Sequence, residues 1–356
     1  MRKIKICLSG LGNVGHHFVK LLNERHDLLK NQYNLDLQLY AIAGSRGGVL
    51  SSTALNREAV NSCTNRESWS IAFPGCGRDD LTGCQIIENC RVDVLVEATP
   101  TNLLTGEPGL TNIRTALKRG MSVVTLAKGP LVKDFPGLMN LAKKKGVSIK
   151  FSGATAAALP TVDMVNYCLA GSTVKSISGI LNGTTNYILS KMSHGDIDYH
   201  TALKEAQEMG VAESNPELDV EGWDTAAKIL ILTNAIYGTD LCLEDIPVTG
   251  IKGVTSKMID VAARNGKTIK LIGESCLKGP FHNQKQKVTG VSVSVSPVAL
   301  ESGHVLSRIN GTTKAIYFET DTLGDFTVVG GKSDPRAAAA AVIKDIVNLA
   351  RENRWI

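Results

Sequence analysis

Short apolar runs alternate with amphipathic segments along the first 150 residues. Residues 4–9 form an apolar run that ends at a glycine-rich turn, and Val14, Phe18 and Leu21 then recur at helical spacing. Further pairs of a strand-like run and a helix-like segment follow it. Strands that alternate with helices predict a parallel, doubly wound sheet, and therefore an α/β domain over residues 1–150.

The hydrophobic pattern changes after residue 150. Residues 173–181 and 288–298 alternate with period two, as half-buried strands do, and helical segments separate them. Two later strand-like stretches complete an α+β domain over residues 151–333, for which antiparallel pairing is one option. Residues 334–356 predict a final helix that packs back on the first domain.

Composition narrows the class of protein. The chain has 356 residues, a net charge of +5 and 5% aromatic residues, with basic residues dispersed along it. A nucleic-acid-binding protein more often shows a clustered basic stripe, and the mild positive charge fits a small anionic ligand at least as well. No apolar run reaches 18 residues and the N-terminus resembles no signal peptide, so we expect a cytoplasmic protein that does not enter a membrane. The eight cysteines form no C-x-x-C pair and are expected to be reduced thiols.

A glycine motif joins the first predicted strand to the first helix. Gly10, Gly12 and Gly15 give G-x-G-x-x-G, in which the glycines allow a tight turn, approach of a pyrophosphate and close helix packing. The helix N-terminus then favours the phosphates of a dinucleotide. We therefore predict a Rossmann-type domain, with cofactor contacts along the whole turn: Gly10, Leu11, Gly12, Asn13, Val14 and Gly15.

The end of the second predicted strand bears on the choice of cofactor. NAD enzymes often carry Asp or Glu there, bonded to the ribose, whereas this chain has Ser45 and Arg46. An arginine suits the 2′-phosphate of NADP, and the less favoured alternative is a solvated loop residue. NADP is the preferred cofactor and NAD remains open.

Asp224 and Lys228 are the main candidates for chemistry in the second domain. They are four residues apart on one predicted helix and therefore share a face. A surface ion pair is the ordinary meaning of this spacing. Apolar residues surround the pair, however, and a partly desolvated lysine suits a proton donor and acceptor at neutral pH. The polar stretch from Asn182 to Asn186 also has two interpretations: it is either a simple turn or a surface that faces a polar ligand.

Two of these stretches closely resemble the homoserine dehydrogenase family. They read GILNGTTNYIL at residues 179–189 and GVAESNPELDVEGWDTAAK at residues 210–228, and the glycine turn and VVTLAKGPL add to the resemblance. The resemblance implies NAD(P)-dependent interconversion of L-homoserine and L-aspartate 4-semialdehyde, in threonine and methionine biosynthesis, by a homodimer. It also implies a short, monofunctional form without a kinase or regulatory domain.

The resemblance assigns roles to individual residues. It implies acid–base chemistry at Lys228, with Asp224 beside it and Lys128 where cofactor and substrate meet. The implied substrate-binding residues are Glu213, Asp219, Asn182, Gly183, Thr184 and Thr185. The implied cofactor contacts outside the glycine turn are Thr99, Lys128 and Gly210.

The chain departs from the family pattern at several places. Ala127 replaces the asparagine that usually precedes the junction lysine, and residues 330–338 replace a glycine-rich cofactor loop, although Gly330 and Gly331 could still touch the cofactor. The loop that binds a monovalent cation in the family starts here with serine in place of glutamate. Na⁺ or K⁺ could still be held by backbone carbonyl groups, at Ser152, Thr155, Ala157 and Leu159.

Two other functions compete with this one. Residues 61–65, NSCTN, resemble the cysteine motif of phosphorylating aldehyde dehydrogenases, in which a thiolate such as Cys63 would attack an aldehyde. Its early position argues against that interpretation, since such a nucleophile normally follows the nucleotide domain. A non-catalytic nucleotide sensor that keeps the fold is the second competitor.

Overall fold

The computed structural model describes residues 1–63, 68–195, 197–279, 290–331 and 334–353. The chain divides into two compact units, which are Met1–Ala158 with Asp334–Ile356, and Leu159–Ser333. Within the described ranges, every helix is too short or too polar to cross a membrane.

The first unit alternates strands and helices as predicted. Its strands are β1 (Arg2–Ser9), β2 (Leu35–Gly44), β3 (Gly47–Leu50), β4 (Gly77–Arg78), β5 (Val94–Glu97), β6 (Ser122–Thr125) and β7 (Ile149–Lys150). Its helices are α1 (Asn13–Glu24), α2 (His26–Tyr33), α3 (Arg57–Ser62), α4 (Trp69–Ala72), α5 (Gly83–Asn89), α6 (Gly109–Lys118), α7 (Lys128–Lys145) and α8 (Ser152–Ala156), together with the last helix of the chain, Pro335–Glu352.

The sheet of the first unit has the order β4-β3-β2-β1-β5-β6-β7. The five strands β2, β1, β5, β6 and β7 are parallel, which confirms the predicted Rossmann-type sheet. Strands β3 and β4 extend it with antiparallel pairing that the sequence patterns did not predict. The last helix of the chain packs against α1 and α8, within this unit.

Helix α7 is not one continuous helix. Asp134 has non-helical dihedral angles (φ −153°, ψ 52°) and divides α7 into two segments. Its carboxylate accepts the Gly137 N–H at 3.1 Å, as a helix N-cap does. A short helical segment therefore starts at Lys128, and a second, longer segment follows Asp134.

The second unit contains the remaining elements. Its strands are β8 (Val174–Ile180), β9 (Lys267–Leu277), β10 (Val291–Glu301), β11 (Lys314–Thr320) and β12 (Asp325–Gly330). Its α-helices are α9 (Gly183–Gly195), α10 (Tyr199–Glu208), α11 (Glu217–Val220), α12 (Trp223–Tyr237) and α13 (Ser256–Arg264), and shorter helical turns lie at Met164–Cys168, Leu243–Asp245 and Val305–Arg308. The last helix of the chain is numbered α14.

All pairings within the second sheet are antiparallel, in the order β10-β9-β8-β11-β12. This confirms an α+β architecture for the unit. Strand β9 was not predicted, because residues Ile269 to Gly273 are all buried and show no period-two alternation. Helices α9, α12 and α13 pack against β9, which explains why it lies beneath other elements.

Candidate active site

The glycine turn lies between β1 and α1 in the first unit. Gly10 has φ +90°, and its N–H donates to the Ala43 carbonyl at 2.9 Å. A Cβ at Gly10 would lie 2.7 Å from the Ala98 carbonyl oxygen, and one at Gly15 would overlap the carbonyl oxygen of Gly10. These two glycines are therefore required for the backbone to fold this way.

Gly12 is different, because a Cβ there would meet no atom within 4 Å. It precedes Asn13, the first residue of α1, and contributes no side-chain cap to the helix N-terminus. The N-terminus of α1 thus has no side-chain cap, and the positive end of the helix dipole lies at this turn. This arrangement fits the diphosphate of a dinucleotide cofactor.

Other predicted cofactor residues lie at the same edge of the sheet. Ser45 and Arg46 form an exposed two-residue turn that links β2 to β3, and Thr99 follows the end of β5. The backbone contacts of Gly10 with Ala43 and Ala98 bring these strand ends together. Ligands of doubly wound sheets bind at this carboxyl edge.

The carboxylate of Glu97, which was not among the predicted site residues, is buried and holds Thr99 in place. Glu97 is fully buried, accepts the Thr99 N–H at 2.9 Å and also accepts the Thr99 hydroxyl. Asn112 Nδ2 donates to Glu97 at 3.0 Å and to the Ser9 hydroxyl at 3.1 Å. Burial raises the pKa of Glu97, although these hydrogen bonds act in the opposite direction. A lone glutamate inside the apolar run of residues 94–98 was the available signal.

Lys128 is half-buried at the start of α7. Its backbone N–H donates to the Thr101 hydroxyl at 3.2 Å. A Cβ at the next residue, Gly129, would overlap the Asn102 carbonyl, so the loop after β5 runs directly against this helix start. Lys128 is thereby positioned beside the carboxyl edge, close to the segment that carries Thr99.

The second unit holds Lys228 and Asp224 on α12 as a largely buried ion pair. Lys228 Nζ lies 2.6 Å from Asp224 Oδ2 and donates to the Leu181 carbonyl at 2.8 Å. The Lys228 and Asp224 side chains are 14% and 13% exposed, which rules out an ordinary solvated surface pair. An ammonium has three N–H donors. The third N–H of Lys228 has no acceptor among the residues that the structure describes.

Asn182 connects two carboxylates of this site. Its Nδ2 donates to Asp219 Oδ1 at 2.6 Å and to Asp224 Oδ2 at 2.8 Å. Its Oδ1 accepts the Thr185 N–H at 2.9 Å, which makes Asn182 the N-cap of α9. Burial, followed by the charge of Asp224, raises the pKa of Asp219.

The polar stretch after β8 is therefore the first turn of a helix and no simple loop. Thr184 and Thr185 are buried, and the Thr184 hydroxyl donates to the Val211 carbonyl at 3.0 Å. A Cβ at Gly183 would lie 2.9 Å from the Thr312 carbonyl oxygen, so the segment before β11 packs directly against the helix start. Small residues are needed there for packing, whatever ligand they face.

Glu213 and Gly210 lie apart from this hydrogen-bonded group. Both are exposed, on the loop that follows α10, and the Glu213 carbonyl accepts a hydrogen bond from Gln207 Nε2 at 3.1 Å. Gly210 has φ +70° and ends the helix. The structure thus joins Lys228, Asp224, Asp219 and Asn182 to one another, and leaves Glu213 accessible to solvent.

The predicted monovalent-cation loop begins at Ser152, whose side chain already has two partners. Its hydroxyl donates to Asp345 Oδ1 at 2.7 Å and receives Lys344 Nζ at 2.8 Å, and its carbonyl accepts the Thr155 hydroxyl at 3.0 Å. The Lys344 ammonium therefore contacts the Ser152 hydroxyl oxygen, which is not one of the backbone carbonyl oxygens that the prediction assigns to the cation. Ala157 has φ +55°, and Leu159 is buried at the start of the second unit. Within the described ranges, no group of three or more His, Cys, Asp and Glu side chains could hold a metal.

Cys63 does not have the setting of a nucleophile. It is 5% exposed and belongs to the apolar core of the first unit, together with Val60 and Trp69. Residues 64 and 65 of the NSCTN motif lie outside the described residues. A thiolate that attacks a substrate must be accessible to it, so the geometry does not support this competitor.

The parallel sheet, the glycine turn at its carboxyl edge and the buried lysine–carboxylate pair define an NAD(P)-dependent oxidoreductase. Residues 10–152 match the family model of the homoserine dehydrogenase NAD-binding domain, and residues 160–347 match the model of the homoserine dehydrogenase domain. The chain belongs to the homoserine dehydrogenase family.

Individual relatives agree over nearly their whole length. A homoserine dehydrogenase of Methanocaldococcus jannaschii is 36% identical over 97% of this chain and 98% of its own. An NAD(+)-dependent homoserine dehydrogenase of Pseudomonas canavaninivorans is 31% identical over 98% of this chain and 97% of its own. A crystal structure of an Archaeoglobus fulgidus protein assigned as a homoserine dehydrogenase superposes with a TM-score of 0.82, at 36% identity over 97% and 99% of the two chains.

Proposed function

We propose that the chain interconverts L-homoserine and L-aspartate 4-semialdehyde by hydride transfer, with Lys228 as the residue that gives and takes the proton. The observation that carries this role is the oriented Lys228 ammonium. Asp224 and the Leu181 carbonyl hold two of its N–H groups, and the third is left for an oxygen of the substrate. A proton donor fixed in this way can act without reorganisation at the moment of reaction.

The chemistry follows from this geometry. When bound, the nicotinamide cofactor supplies or accepts the hydride. During reduction, Lys228 donates a proton to the aldehyde oxygen as the carbon gains hydride, and the product is the alcohol. During oxidation, the neutral Lys228 amine takes the proton of the homoserine hydroxyl. Asp224 keeps the lysine in place in both directions.

The substrate is a zwitterion, so its ammonium requires a carboxylate and its carboxylate requires hydrogen-bond donors. We assign the ammonium to Glu213, with Asp219 and Asn182 to Thr185 lining the pocket. The exposure of Glu213 supports this assignment, because its carboxylate is accessible to a ligand. Asn182 supports it as well, since its two bonds hold Asp219 and Asp224 in one group.

We assign cofactor binding to the glycine turn, Thr99, Lys128 and Gly210, with NADP preferred. The exposed Arg46 at the end of β2 supports NADP, because a guanidinium can bind a 2′-phosphate in a bidentate manner. NAD remains the alternative, and the Pseudomonas canavaninivorans relative bears an NAD(+)-dependent name. We assign no step of the reaction to Na⁺ or K⁺.

We further propose a cytoplasmic homodimer that acts in threonine and methionine biosynthesis. The supporting feature is β10, an eleven-residue strand at the edge of its sheet. Backbone hydrogen bonds with Pro247 and Thr249 occupy this edge at Val295. A long edge strand is a site for pairing with a second copy. Sedimentation analysis of the purified chain would measure the oligomeric state directly.

The test is loss of NADPH absorbance with L-aspartate 4-semialdehyde, compared with other amino-aldehydes. We expect turnover by the wild type, a fall in kcat of about 10³-fold in Lys228→Met, and unchanged turnover in Cys63→Ser. Activity that persists in Lys228→Met and disappears in Cys63→Ser would instead identify a cysteine-dependent semialdehyde dehydrogenase. Cofactor binding without turnover of any amino-aldehyde would identify a nucleotide sensor.

A further inference from the structure

Two lysines of the second unit are almost completely buried. Lys314 is 2% exposed and Lys270 is fully buried. Burial lowers the pKa of each to about 8, so both still carry most of their charge at neutral pH. Lysines are rarely buried to this extent, because an ammonium loses its hydration.

The surroundings of Lys270 explain its burial. Its Nζ donates to the Ile309 carbonyl at 2.5 Å, to Asn310 Oδ1 at 3.0 Å and to Asn186 Oδ1 at 3.2 Å. These acceptors are neutral, and they belong to α9 and to the segment that leads towards β11. Lys270 thus connects α9 to the segment at Ile309 and Asn310 through hydrogen bonds, which is a structural role.

Lys314 lies in a different electrostatic setting. It is the first residue of β11, and the next residue, Ala315, pairs with Ile180 of β8. Lys314 is therefore level with Leu181, whose carbonyl orients Lys228. The charged groups that face it are Lys228 and Asp224 of α12. The charge of Lys228 lowers the pKa of Lys314, and the charge of Asp224 raises it.

The proposed reaction requires a second positive charge near Asp219 and Asp224, which the ammonium of Lys314 can supply. Asp219 and Asp224 lie together around Asn182, and like charges in a partly buried site repel each other strongly. Before reduction, Lys228 compensates their charge. Once Lys228 has given its proton to the substrate, it is neutral and the carboxylates have lost that compensation.

We propose that Lys314 is a positioning residue, a fixed cation that keeps Asp224 ionised and in place while Lys228 is neutral. This inference rests on the proposed function of Lys228. Lys314 does not bind the substrate in this proposal, so its removal should slow the chemical step and leave binding nearly unchanged. It acts on the rate through the Lys228–Asp224 pair.

The experiment compares Lys314→Met with Lys270→Met in the full chain, since each removes one buried ammonium from the same unit. At pH 7 we expect Lys314→Met to lower kcat for aldehyde reduction at least tenfold, with the KM for the aldehyde and the Kd for NADPH changed less than threefold. Lys270→Met should lower the melting temperature and keep kcat within threefold of the wild type.

The pH profile distinguishes an electrostatic role from a packing role. Lys314 loses its charge above about pH 8, so the ratio of wild-type to Lys314→Met kcat should shrink towards one as the pH rises. A residue that only fills space would give the same ratio at every pH. If Lys314→Met does not fold, the same comparison is made with Lys314→Gln.

Three results would overturn the inference. These are a kcat of Lys314→Met within twofold of the wild type at pH 7, a ratio that does not change with pH, and a tenfold higher KM at unchanged kcat. The last result would place Lys314 in substrate binding. A wild-type chain that does not reduce the aldehyde would refute the proposed function itself, which makes the two failures distinguishable.

Discussion

The two units form their candidate sites by opposite means. In the first unit, backbone groups define the glycine turn, and Gly10 and Gly15 matter because they lack a Cβ. In the second unit, side chains from several elements define the site, and Asn182, Asp219, Asp224 and Lys228 hold one another through hydrogen bonds. A backbone site should fail when atoms are added to it, whereas a side-chain network should fail when atoms are removed.

The largest effect is expected from Gly15→Ala. The new Cβ would overlap the Gly10 carbonyl, so α1 must move away from β1, at a cost of about 3 kcal/mol or more. NADPH binding should be lost with it. The measurements are thermal unfolding and fluorescence titration with NADPH.

Gly12→Ala is the matched control in the same turn. Its Cβ meets no atom within 4 Å, so the melting temperature should stay nearly constant while NADPH affinity falls about tenfold through contact with the diphosphate. Equal stability loss in both variants would show that the turn is not set by the backbone contact of Gly15.

The charge of Lys270 in the second unit should make the free energy of unfolding depend on pH, by an amount similar to the stability loss in Gly15→Ala. Its pKa is 10.5 unfolded and about 8 folded. Below pH 8 both states are charged, and the folded state bears the full cost of the buried ammonium. Between pH 8 and 10.5 the unfolded state binds more protons, so the stability of the folded state rises with pH, by up to about 3.5 kcal/mol at about 1.4 kcal/mol per pKa unit.

Urea unfolding of the wild type and Lys270→Met at pH 7 and pH 10 measures this change. The stability of the wild type relative to the variant should increase with pH. Lys267→Met is the control on the same strand, because Lys267 forms a partly exposed ion pair with Glu301 at 2.7 Å. A difference between wild type and Lys270→Met that is constant with pH would contradict the prediction.

A smaller effect is expected from Asn182→Ala. The change removes the donor shared by Asp219 and Asp224 and also removes the N-cap of α9, which is typically worth about 1 kcal/mol of stability. Loss of the shared hydrogen bonds should raise the transition-state free energy by about 2 kcal/mol, which lowers kcat/KM roughly 30-fold. Steady-state kinetics and thermal unfolding measure the two losses separately.

Asn182→Ser separates the two roles of this residue. Serine can cap the helix through its hydroxyl, but it is too short to donate to both carboxylates. Its stability should therefore recover while kcat/KM stays low. Recovery of both would show that the helix cap alone matters, and that the network of the second unit has no part in catalysis.

The same contrast explains which features the sequence could predict. The glycine turn is local, since Gly10, Gly12 and Gly15 lie between one strand and one helix and act through spacing alone. Lys228 and Asp224 are also local to α12, and their motif carried the family resemblance. Asn182 was placed by that resemblance, but its bonds to Asp219 and Asp224 join residues 37 and 42 positions away.

Residues that act only through tertiary packing had no such signal. Lys314 is one polar residue at the start of an apolar strand, and its position beside Lys228 depends on the pairing of β11 with β8. Glu97 and Asn112 meet only because α6 covers the end of β5. Strand β9 lacks a period-two pattern because it is covered by other elements. Spacing along the chain encodes none of these relations.

The smallest effect is expected at Arg46, and it tests whether the first unit uses any side chain for recognition. Arg46→Ala should raise the KM for NADPH about tenfold, or 1.4 kcal/mol, because one charge-assisted contact with the 2′-phosphate is lost. The KM for NADH should change less than twofold, since NADH lacks that phosphate. Equal changes for both cofactors would mean that Arg46 does not contact the 2′-phosphate. The specificity of the cofactor site would then depend on backbone groups, as its phosphate binding does.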